Sequence, residues 1–165
     1  MQYRKLGNTN IDVSLICLGT MTFGEQNTEA EAHNQLDLAI NSGVNFIDAA
    51  ELYPVPPKGE TQGKTEEFIG SWLKKNGRRD DLVIATKVSG PTDWCSHIRD
   101  GTSHPDRKNI EIAVCQSLRR LQTDYIDLYQ VHWPDRNANF FGKLGYEYDN
   151  SSTLPIEDTL EAMDV

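Results

Sequence analysis

The sequence has little positive charge and no long apolar run, and these absences exclude several functions. Sixteen Lys and Arg residues stand against 25 Asp and Glu residues, so the formal net charge of the 165-residue chain is -9 at pH 7. Such a charge opposes partners that are bound through phosphates, including nucleic acids and anionic membrane surfaces. The start MQYRKLGNTN lacks the basic segment and apolar run of a secretory signal, and no stretch approaches the roughly 20 apolar residues of a membrane span. We therefore expect a cytoplasmic protein without nucleic-acid or membrane partners.

Cysteine is also scarce. Cys17, Cys95 and Cys115 are odd in number and show no CxxC spacing, which argues against a disulfide framework or a zinc ribbon. Reduced thiols fit a cytosolic protein. Cys95 lies near His97 and His104 in a polar stretch, but a metal site needs a defined fourth ligand, so we predict no metal site.

The composition that remains is that of one globular domain. Hydrophobic residues make up 38% of the chain, and its 12 Gly and 7 Pro residues are too few for a disordered or fibrous protein. A chain of this length can bury a core of its own. The prediction is therefore a single domain over residues 1–165.

Strand-like and helix-like stretches alternate along the chain. The short runs YRKL and IDVSL, separated by GNTN, predict an N-terminal hairpin. Four strand-then-helix units follow, with apolar spacing and end signals typical of amphipathic helices. These units are ICLGT with EAEAHNQLDLAINSG, VNFIDAA with KTEEFIGSWLKKNG, DDLVIATKV with RKNIEIAVCQSLRRLQ, and DYIDLYQVHW with PIEDTLEAMDV.

Alternating strands and helices predict a parallel sheet, either open and doubly wound or closed into a (β/α)8 barrel. No GxGxxG follows the first strand of these units, so the dinucleotide fingerprint of the doubly wound fold is missing. Polar residues instead follow three successive strands, at the face where barrel enzymes carry their sites. The predicted fold class is α/β, as the N-terminal half of a (β/α)8 TIM barrel: a hairpin and four βα units, of which the last ends at the start of its helix.

Two connections from strand to helix, residues 89–106 and 134–153, exceed the usual 2 to 6 residues, and long loops of this kind are commonly functional. The second is rich in aromatic side chains, which either wall an apolar pocket for a carbonyl substrate or pack the loop onto the barrel rim. These aromatic residues are Phe140, Phe141, Tyr146 and Tyr148.

Four residues at strand ends form a chemically coherent set: Asp48, Tyr53, Lys87 and His132. Carbonyl reduction needs a proton donor, and a phenol with an ordinary pKa of about 10 is a weak acid near neutrality. A Lys ammonium stabilises a phenolate, a carboxylate holds that Lys in place, and a histidine donates a hydrogen bond to the carbonyl oxygen. Taken singly, each residue has an ordinary structural interpretation. Their joint placement at three successive strand ends favours catalysis.

The motifs around these residues resemble those of the aldo-keto reductase superfamily. NFIDAAELY contains Asp48 and Tyr53, IATKV contains Lys87, and LQTDYIDLYQVHWP contains His132, in the order of the superfamily's catalytic tetrad. GTMTFGEQN, YPVPP, ETQGKTEEFIG, TKVSGP, DRKNI and FGKLGY are similar to the bacterial Tas-type members, and the likeness runs almost from Met1 to the end.

The resemblance implies a barrel enzyme that reduces a small aldehyde or ketone with NADPH. Hydride would pass from the nicotinamide to the carbonyl carbon while Tyr53 gives the proton. In the family the backbone at the end of the first barrel strand, here Gly19, Thr20 and Met21, approaches the nicotinamide ribose, and Asp48 lies near it.

The chain departs from the superfamily in length, since members are about twice as long and a complete barrel takes roughly 250 residues. The resemblance places the residues that hold the carboxamide, stack on the nicotinamide and bind the 2'-phosphate in a second half, and none is assigned here. A half barrel would leave two open strand edges. Two copies could pair edge to edge, or a second polypeptide could complete the sheet. Because no Gly or Pro stop follows Met163, we expect that the chain is a piece of a longer product.

Two functions of different class remain. The first is NADPH-dependent carbonyl reduction with Tyr53 as general acid. The second is a catalytically silent fragment or a non-enzymatic interaction subunit, a role the resemblance allows because potassium-channel β subunits share the fold. Retention of all four tetrad residues favours the enzyme.

Overall fold

A two-stranded hairpin begins the chain in the structure, a computed structural model that describes residues 1–91, 93–101, 103–138, 141, 144–146 and 153–164. Strands β1 (Tyr3–Lys5) and β2 (Asp12–Ser14) pair antiparallel, with Arg4 opposite Val13. The turn between them contains Gly7 at φ 57°, a left-handed conformation that glycine adopts without strain. The Tyr3 hydroxyl donates to the Gly43 carbonyl at 2.7 Å and so fixes the hairpin to the end of the first helix.

Four parallel strands form the main sheet in chain order: β3 (Cys17–Gly19), β4 (Phe46–Asp48), β5 (Val83–Val88) and β6 (Leu128–Val131). Gly19 pairs with Asp48, Asp48 with Ala85, and Lys87 with Gln130. Because paired residues of parallel strands point to the same side, Asp48 and Lys87 share one face of the sheet.

Helices follow these strands and cover the opposite face. They are α1 (Glu29–Asn41), α2 (Lys64–Asn76), α3 (Arg107–Leu121) and α4 (Ile156–Met163). A capping box starts α1, in which the Thr28 hydroxyl accepts from the Glu31 N–H while the Glu31 carboxylate accepts from the Thr28 N–H. The Asp106 carboxylate caps α3 by accepting from the Asn109 N–H at 2.8 Å.

The hydrophobic core lies between the sheet and the helices. Ile47 of β4 and Ile84 of β5 are fully buried there, against Leu36 of α1 and Trp72 of α2. Side chains alternate between the two faces along a strand. Ile47 and Ile84 are buried against the helices. Asp48 and Ala85 are one position further on and Lys87 is three, so these side chains point to the opposite, inner face of the curved sheet.

The hairpin and the four predicted βα units are confirmed at the level of element type and order. In the part of the chain that the structure describes, no helix combines the length and apolarity needed to cross a membrane. Of the four aromatic residues predicted in the second long loop, Phe140 and Tyr148 lie outside the described residues.

Candidate active site

An ion pair between Asp48 and Lys87 forms the base of the site. Asp48 ends β4, and Lys87 lies in β5 two residues beyond the strand partner of Asp48. The Lys87 Nζ donates to the Asp48 carboxylate at 2.7 Å and to the Ala49 carbonyl at 2.6 Å. Two short charge-assisted hydrogen bonds therefore fix the ammonium at the carboxyl end of the sheet.

Tyr53 lies above this pair, on the connection from β4 to α2. Its N–H donates to the Ala50 carbonyl at 3.1 Å and its carbonyl accepts from the Gly63 N–H at 2.9 Å, so both backbone groups are held. Its hydroxyl oxygen is 3.4 Å from the Lys87 Nζ, which itself lies 4.8 Å from the centre of the phenol ring. The phenol oxygen and the ammonium are therefore direct neighbours.

His132 directly follows β6 and completes the group. Its N–H donates to the Val88 carbonyl at 2.9 Å, which continues the strand ladder by one residue. The imidazole meets the Tyr53 ring edge to face at 5.6 Å. Burial first, and the Lys87 charge second, lower the pKa of His132 from 6.5 to about 4, against an opposing effect of Asp48. The ring is therefore neutral at pH 7, and its Nδ1 is buried without a hydrogen-bond partner among the described residues.

The structure thus brings together all four residues of the predicted tetrad. They come from three successive strand ends, as the sequence indicated. Their catalytic roles are not tested by this proximity and remain predictions.

An apolar cavity of about 420 Å³ opens beside Tyr53 and His132. Its wall includes Met21, Leu52, Trp94 and Phe141. Trp94 stacks on Trp133 with ring centres 6.0 Å apart, and Phe141 meets the Trp94 ring edge on at 5.8 Å. Of the aromatic residues predicted for a pocket wall, Phe141 does line the cavity.

Gly19, Thr20 and Met21, predicted to contact a cofactor, differ in their surroundings. Gly19 pairs with Asp48, and a Cβ added to it would meet no atom within 4 Å. Thr20 is fully buried, and its hydroxyl and its N–H both donate to the Asp48 carbonyl, at 2.8 and 3.1 Å. Met21 is exposed at the cavity rim. Gly19 and Met21 therefore border open space, whereas the Thr20 side chain holds the end of β4 in place.

Two features of the site are missed by the sequence interpretation. Trp94 lies in the loop that was predicted to be functional, but nothing in the sequence singled it out as a wall of the cavity. Glu51, two residues before Tyr53, forms an ion pair with Arg99, and the side chains are only 0% and 2% exposed. The one signal for the pair is the unusual acidic residue between Ala50 and Leu52 in the run IDAAELY.

The cysteines and metal-binding side chains add little to this site. Cys17 lies on β3, near Asp48 and Lys87, and burial is the main cause that raises its pKa to about 11, so it remains a protonated thiol near neutrality. Among the residues that the structure describes, no group of three His, Cys, Asp or Glu side chains is arranged to hold a metal ion.

Known proteins are similar to this chain in both sequence and fold. The chain matches the aldo/keto reductase family over residues 15–165. It is 55% identical over 168 residues to Protein tas of Escherichia coli (strain K12), which covers 99% of this chain and 47% of that protein. It thus spans about half the length of the curated relatives it matches.

Two solved structures have a fold similar to that of this chain. The thermostable aldo-keto reductase Tm1743, in complex with the inhibitor epalrestat, has a TM-score of 0.71 and 32% identity, over 99% of this chain and 48% of that one. Aldo-keto reductase AKR11C1 from Bacillus halodurans, in its holo form, has a TM-score of 0.69 and 37% identity, over 98% of this chain and 45% of that one. The predicted fold class, the N-terminal half of a TIM barrel, is confirmed. By sequence and by fold the chain belongs to the aldo/keto reductase family, a lineage of oxidoreductases.

Proposed function

We propose that the protein reduces aldehydes or ketones to alcohols with NADPH, and that Tyr53 is the proton donor. The observation that carries the proposal is the contact of the Lys87 Nζ with both the Asp48 carboxylate and the Tyr53 hydroxyl, beside an open apolar cavity. An ion pair that only stabilises a fold does not require a cavity beside it. A phenol held against an ammonium at the wall of a cavity is suited to giving a proton to a bound molecule.

Lys87 would assist the proton transfer by electrostatics. As the phenol proton moves to the carbonyl oxygen, negative charge develops on the Tyr53 oxygen, and the ammonium 3.4 Å away stabilises it. Asp48 keeps the ammonium in that position through its 2.7 Å hydrogen bond. Little rearrangement would be needed during the reaction, because the charges are already in place.

His132 would orient the substrate. Its ring is neutral near pH 7 and lies on the cavity wall against Tyr53. A neutral imidazole N–H can donate to a carbonyl oxygen without competing with Tyr53 as the acid. The carbonyl oxygen would then lie between the phenol and the imidazole, with the rest of the substrate in the apolar cavity.

The residues present fit the nicotinamide end of the cofactor. Gly19 pairs with Asp48, and the space at its Cα is open, which would let part of the cofactor approach the backbone there. When bound, the cofactor supplies the hydride that the carbonyl carbon receives. The backbone at Gly19 and Met21 and the Asp48 carboxylate would border its ribose, with Thr20 holding that backbone in position.

The protein would act in the cytoplasm, with its parallel sheet closed into a complete barrel. In the part of the chain that the structure describes, β3 and β6 each have a strand partner on one side only. Further polypeptide, from a C-terminal half or from a second copy, would cover these edges and supply the remaining cofactor contacts. The unpaired thiols of Cys17, Cys95 and Cys115 support a reducing location.

A direct assay tests the proposal. The full-length protein should bind NADPH, measured by quenching of tryptophan fluorescence, and should consume it when 4-nitrobenzaldehyde is added, measured by loss of nicotinamide absorbance. A Lys87→Met variant should lose most of the turnover, because the charge beside the phenol is gone. No turnover by the wild-type protein across a panel of aldehydes and ketones would support the silent alternative instead.

A further inference from the structure

A buried ion pair connects the segment that carries Tyr53 to the loop after β5. Arg99 lies in the short 3-10 helix Ile98–Gly101, and its Nη1 donates to Glu51 Oε1. Both side chains are almost fully shielded from water. Glu51 is two residues before Tyr53, so the pair links the segment of the predicted proton donor to this loop.

Both partners also bind the backbone at Ser89, two residues after Lys87. The Ser89 N–H donates to Glu51 Oε2 at 3.0 Å, and the Ser89 carbonyl accepts from Arg99 Nη2 at 2.9 Å. Arg99 Nη2 donates to the Ser103 carbonyl at 3.3 Å as well. The pair therefore ties three segments together: the Tyr53 segment, the end of β5 and the loop beyond it.

The backbone of Glu51 is held as firmly as its side chain. Its N–H donates to the Lys87 carbonyl at 3.1 Å, and its own carbonyl accepts from the Gln62 side-chain amide at 2.7 Å. Arg99 has a φ of 46°, a left-handed conformation that is costly for a residue other than glycine. Such a conformation persists only where the surrounding contacts determine it, and the ion pair with Glu51 is one of the contacts that hold Arg99 here.

The loop held in this way carries one wall of the cavity. Trp94 lies in the 3-10 helix Asp93–Cys95 and lines the same cavity as Tyr53. Cys95 and Ile98 of the same loop are buried in one cluster with Leu52 and Tyr53. A shift of Arg99 relative to Glu51 would therefore move Trp94 relative to Tyr53.

We infer that Glu51 and Arg99 are positioning residues that fix where Trp94 stands in the cavity wall relative to Tyr53, and so restrict which carbonyl substrates enter. The substrate part of this inference rests on the proposed carbonyl reduction. Among the described residues that line the cavity, neither Glu51 nor Arg99 is included, so the pair acts through the loop that it holds.

A buried ion pair of this kind is better suited to fixing the position of a segment than to raising the stability of the fold. Moving two charges out of water has a desolvation cost that their attraction often only offsets, and apolar replacements of similar size can be as stable. The attraction acts only when the two groups meet in one geometry, however, and here that geometry fixes the loop against the Tyr53 segment. A second buried pair gives a matched control: Glu66 of α2 binds Arg120 of α3 at 2.7 Å, with side chains 0% and 14% exposed.

Hydrogen exchange of the full-length protein separates the two pairs. Glu51→Gln preserves the size of the side chain but removes its charge, and backbone amides of residues 93–101 should exchange at least about tenfold faster while those of α2 stay unchanged. Glu66→Gln should give the reverse pattern. The inference is wrong if both variants speed exchange in the same segments, or if residues 93–101 are unaffected by Glu51→Gln.

A neutral pair distinguishes position from stability. In Glu51→Gln with Arg99→Met no buried charge remains unpaired, so the melting temperature should recover toward the wild-type value. Residues 93–101 should nevertheless continue to exchange fast. Restoration of wild-type exchange by this double variant would overturn the inference, because the charges would then not be what holds the loop.

Substrate selectivity is the functional readout. The ratio of kcat/KM for 2-naphthaldehyde to that for butanal should rise about fivefold in Glu51→Gln, since a looser Trp94 admits the wider molecule, and should stay unchanged in Glu66→Gln. An unchanged ratio in Glu51→Gln would contradict the role in selectivity. If the wild-type protein reduces neither aldehyde, the proposed function fails, whereas the exchange measurements still decide whether the pair holds the loop.

Discussion

The two ends of the parallel sheet each carry an ion pair of almost the same geometry. At the amino end, before β5, Arg79 Nη2 is 2.7 Å from Asp127 Oδ2, with side chains 14% and 18% exposed. At the carboxyl end, Lys87 Nζ is 2.7 Å from Asp48 Oδ2, with side chains 13% and 29% exposed. Distance and burial alone do not distinguish a structural pair from a candidate catalytic one.

The neighbours of the two pairs make the difference. Asp127 also accepts from the Ile84 N–H, and Arg79 donates to the carbonyls of Leu82 and Tyr125 and to the Thr123 hydroxyl, so this pair is bound on several sides by the fold. Around Lys87, in contrast, Tyr53 and His132 line a mainly apolar cavity, whereas the more open depression beside Arg79 is lined mostly by charged and polar side chains. A candidate site is therefore recognised by polar groups that remain available to a ligand.

The largest expected effect is at the carboxyl end. Tyr53→Phe removes the proposed proton donor and should lower kcat for carbonyl reduction by about 10²- to 10⁴-fold, since this is the usual contribution of a general acid. NADPH affinity should hardly change, because in the proposed reaction the hydroxyl contacts the carbonyl oxygen and not the cofactor. Steady-state kinetics and a fluorescence titration measure the two quantities.

A tyrosine at the other end is the control for this variant. The Tyr125 hydroxyl donates to Asp80 at 2.8 Å and lies on the surface. Tyr125→Phe should leave kcat unchanged. Full activity in Tyr53→Phe, or equal losses in the two variants, would contradict the assignment of the proton donor.

The next effect is at the amino end and concerns stability. Asp127→Asn removes the charge that faces Arg79 and should lower the free energy of unfolding by about 2 kcal/mol, because it leaves a largely buried guanidinium without its carboxylate. Urea unfolding measures this loss. The kcat of the folded protein should stay the same; a large fall in kcat would show that the two ends are not separate in function.

A smaller effect follows from the lowered pKa of His132. His132 takes up a proton near pH 6.5 in the unfolded state but only near pH 4 in the folded state. Its contribution to the free energy of unfolding is therefore complete above pH 6.5 and decreases as the pH falls toward 4. After allowance for partial exposure, the loss between pH 7 and pH 5 is about 1 kcal/mol. In His132→Asn the curve of unfolding free energy against pH should be flatter by that amount. A variant with the wild-type slope would show that another group titrates.

The smallest effect is expected at an exposed pair near the amino end. Arg78 and Asp81 lie 3.1 Å apart with both side chains largely exposed. Arg78→Ala should change the free energy of unfolding by less than about 0.5 kcal/mol and leave kcat unchanged, because water and salt screen such a pair. A loss as large as that in Asp127→Asn would mean that proximity of charges, rather than their burial, decides their contribution.

Much of the fold and the tetrad could be predicted because both depend on local patterns. Alternation of strands and helices defines the units, and Asp48, Lys87 and His132 stand where apolar strand runs end. Tyr53 follows Asp48 after five positions in the same motif. The parallel sheet then brings these strand ends to one edge.

The rest could not be predicted because it depends on contacts between distant residues. Glu51 stands in a loop, where an acidic side chain is usually solvated, and its burial results from Arg99, 48 positions further on. Trp94 lines the cavity while it stacks on Trp133, which is far away in the sequence. The position of neither aromatic ring follows from the spacing of residues along the chain.

The alternation of Ile47 and Asp48 across the sheet also limits how the gene can change in length. A single inserted or deleted codon within β4 would exchange the two side chains, which would place a carboxylate among the apolar residues of α1 and α2 and an isoleucine beside Lys87. Insertions between Pro57 and Gln62 would leave that alternation intact. Natural variation in length should therefore accumulate in the connections that follow the strands, and not in the three residues of β4.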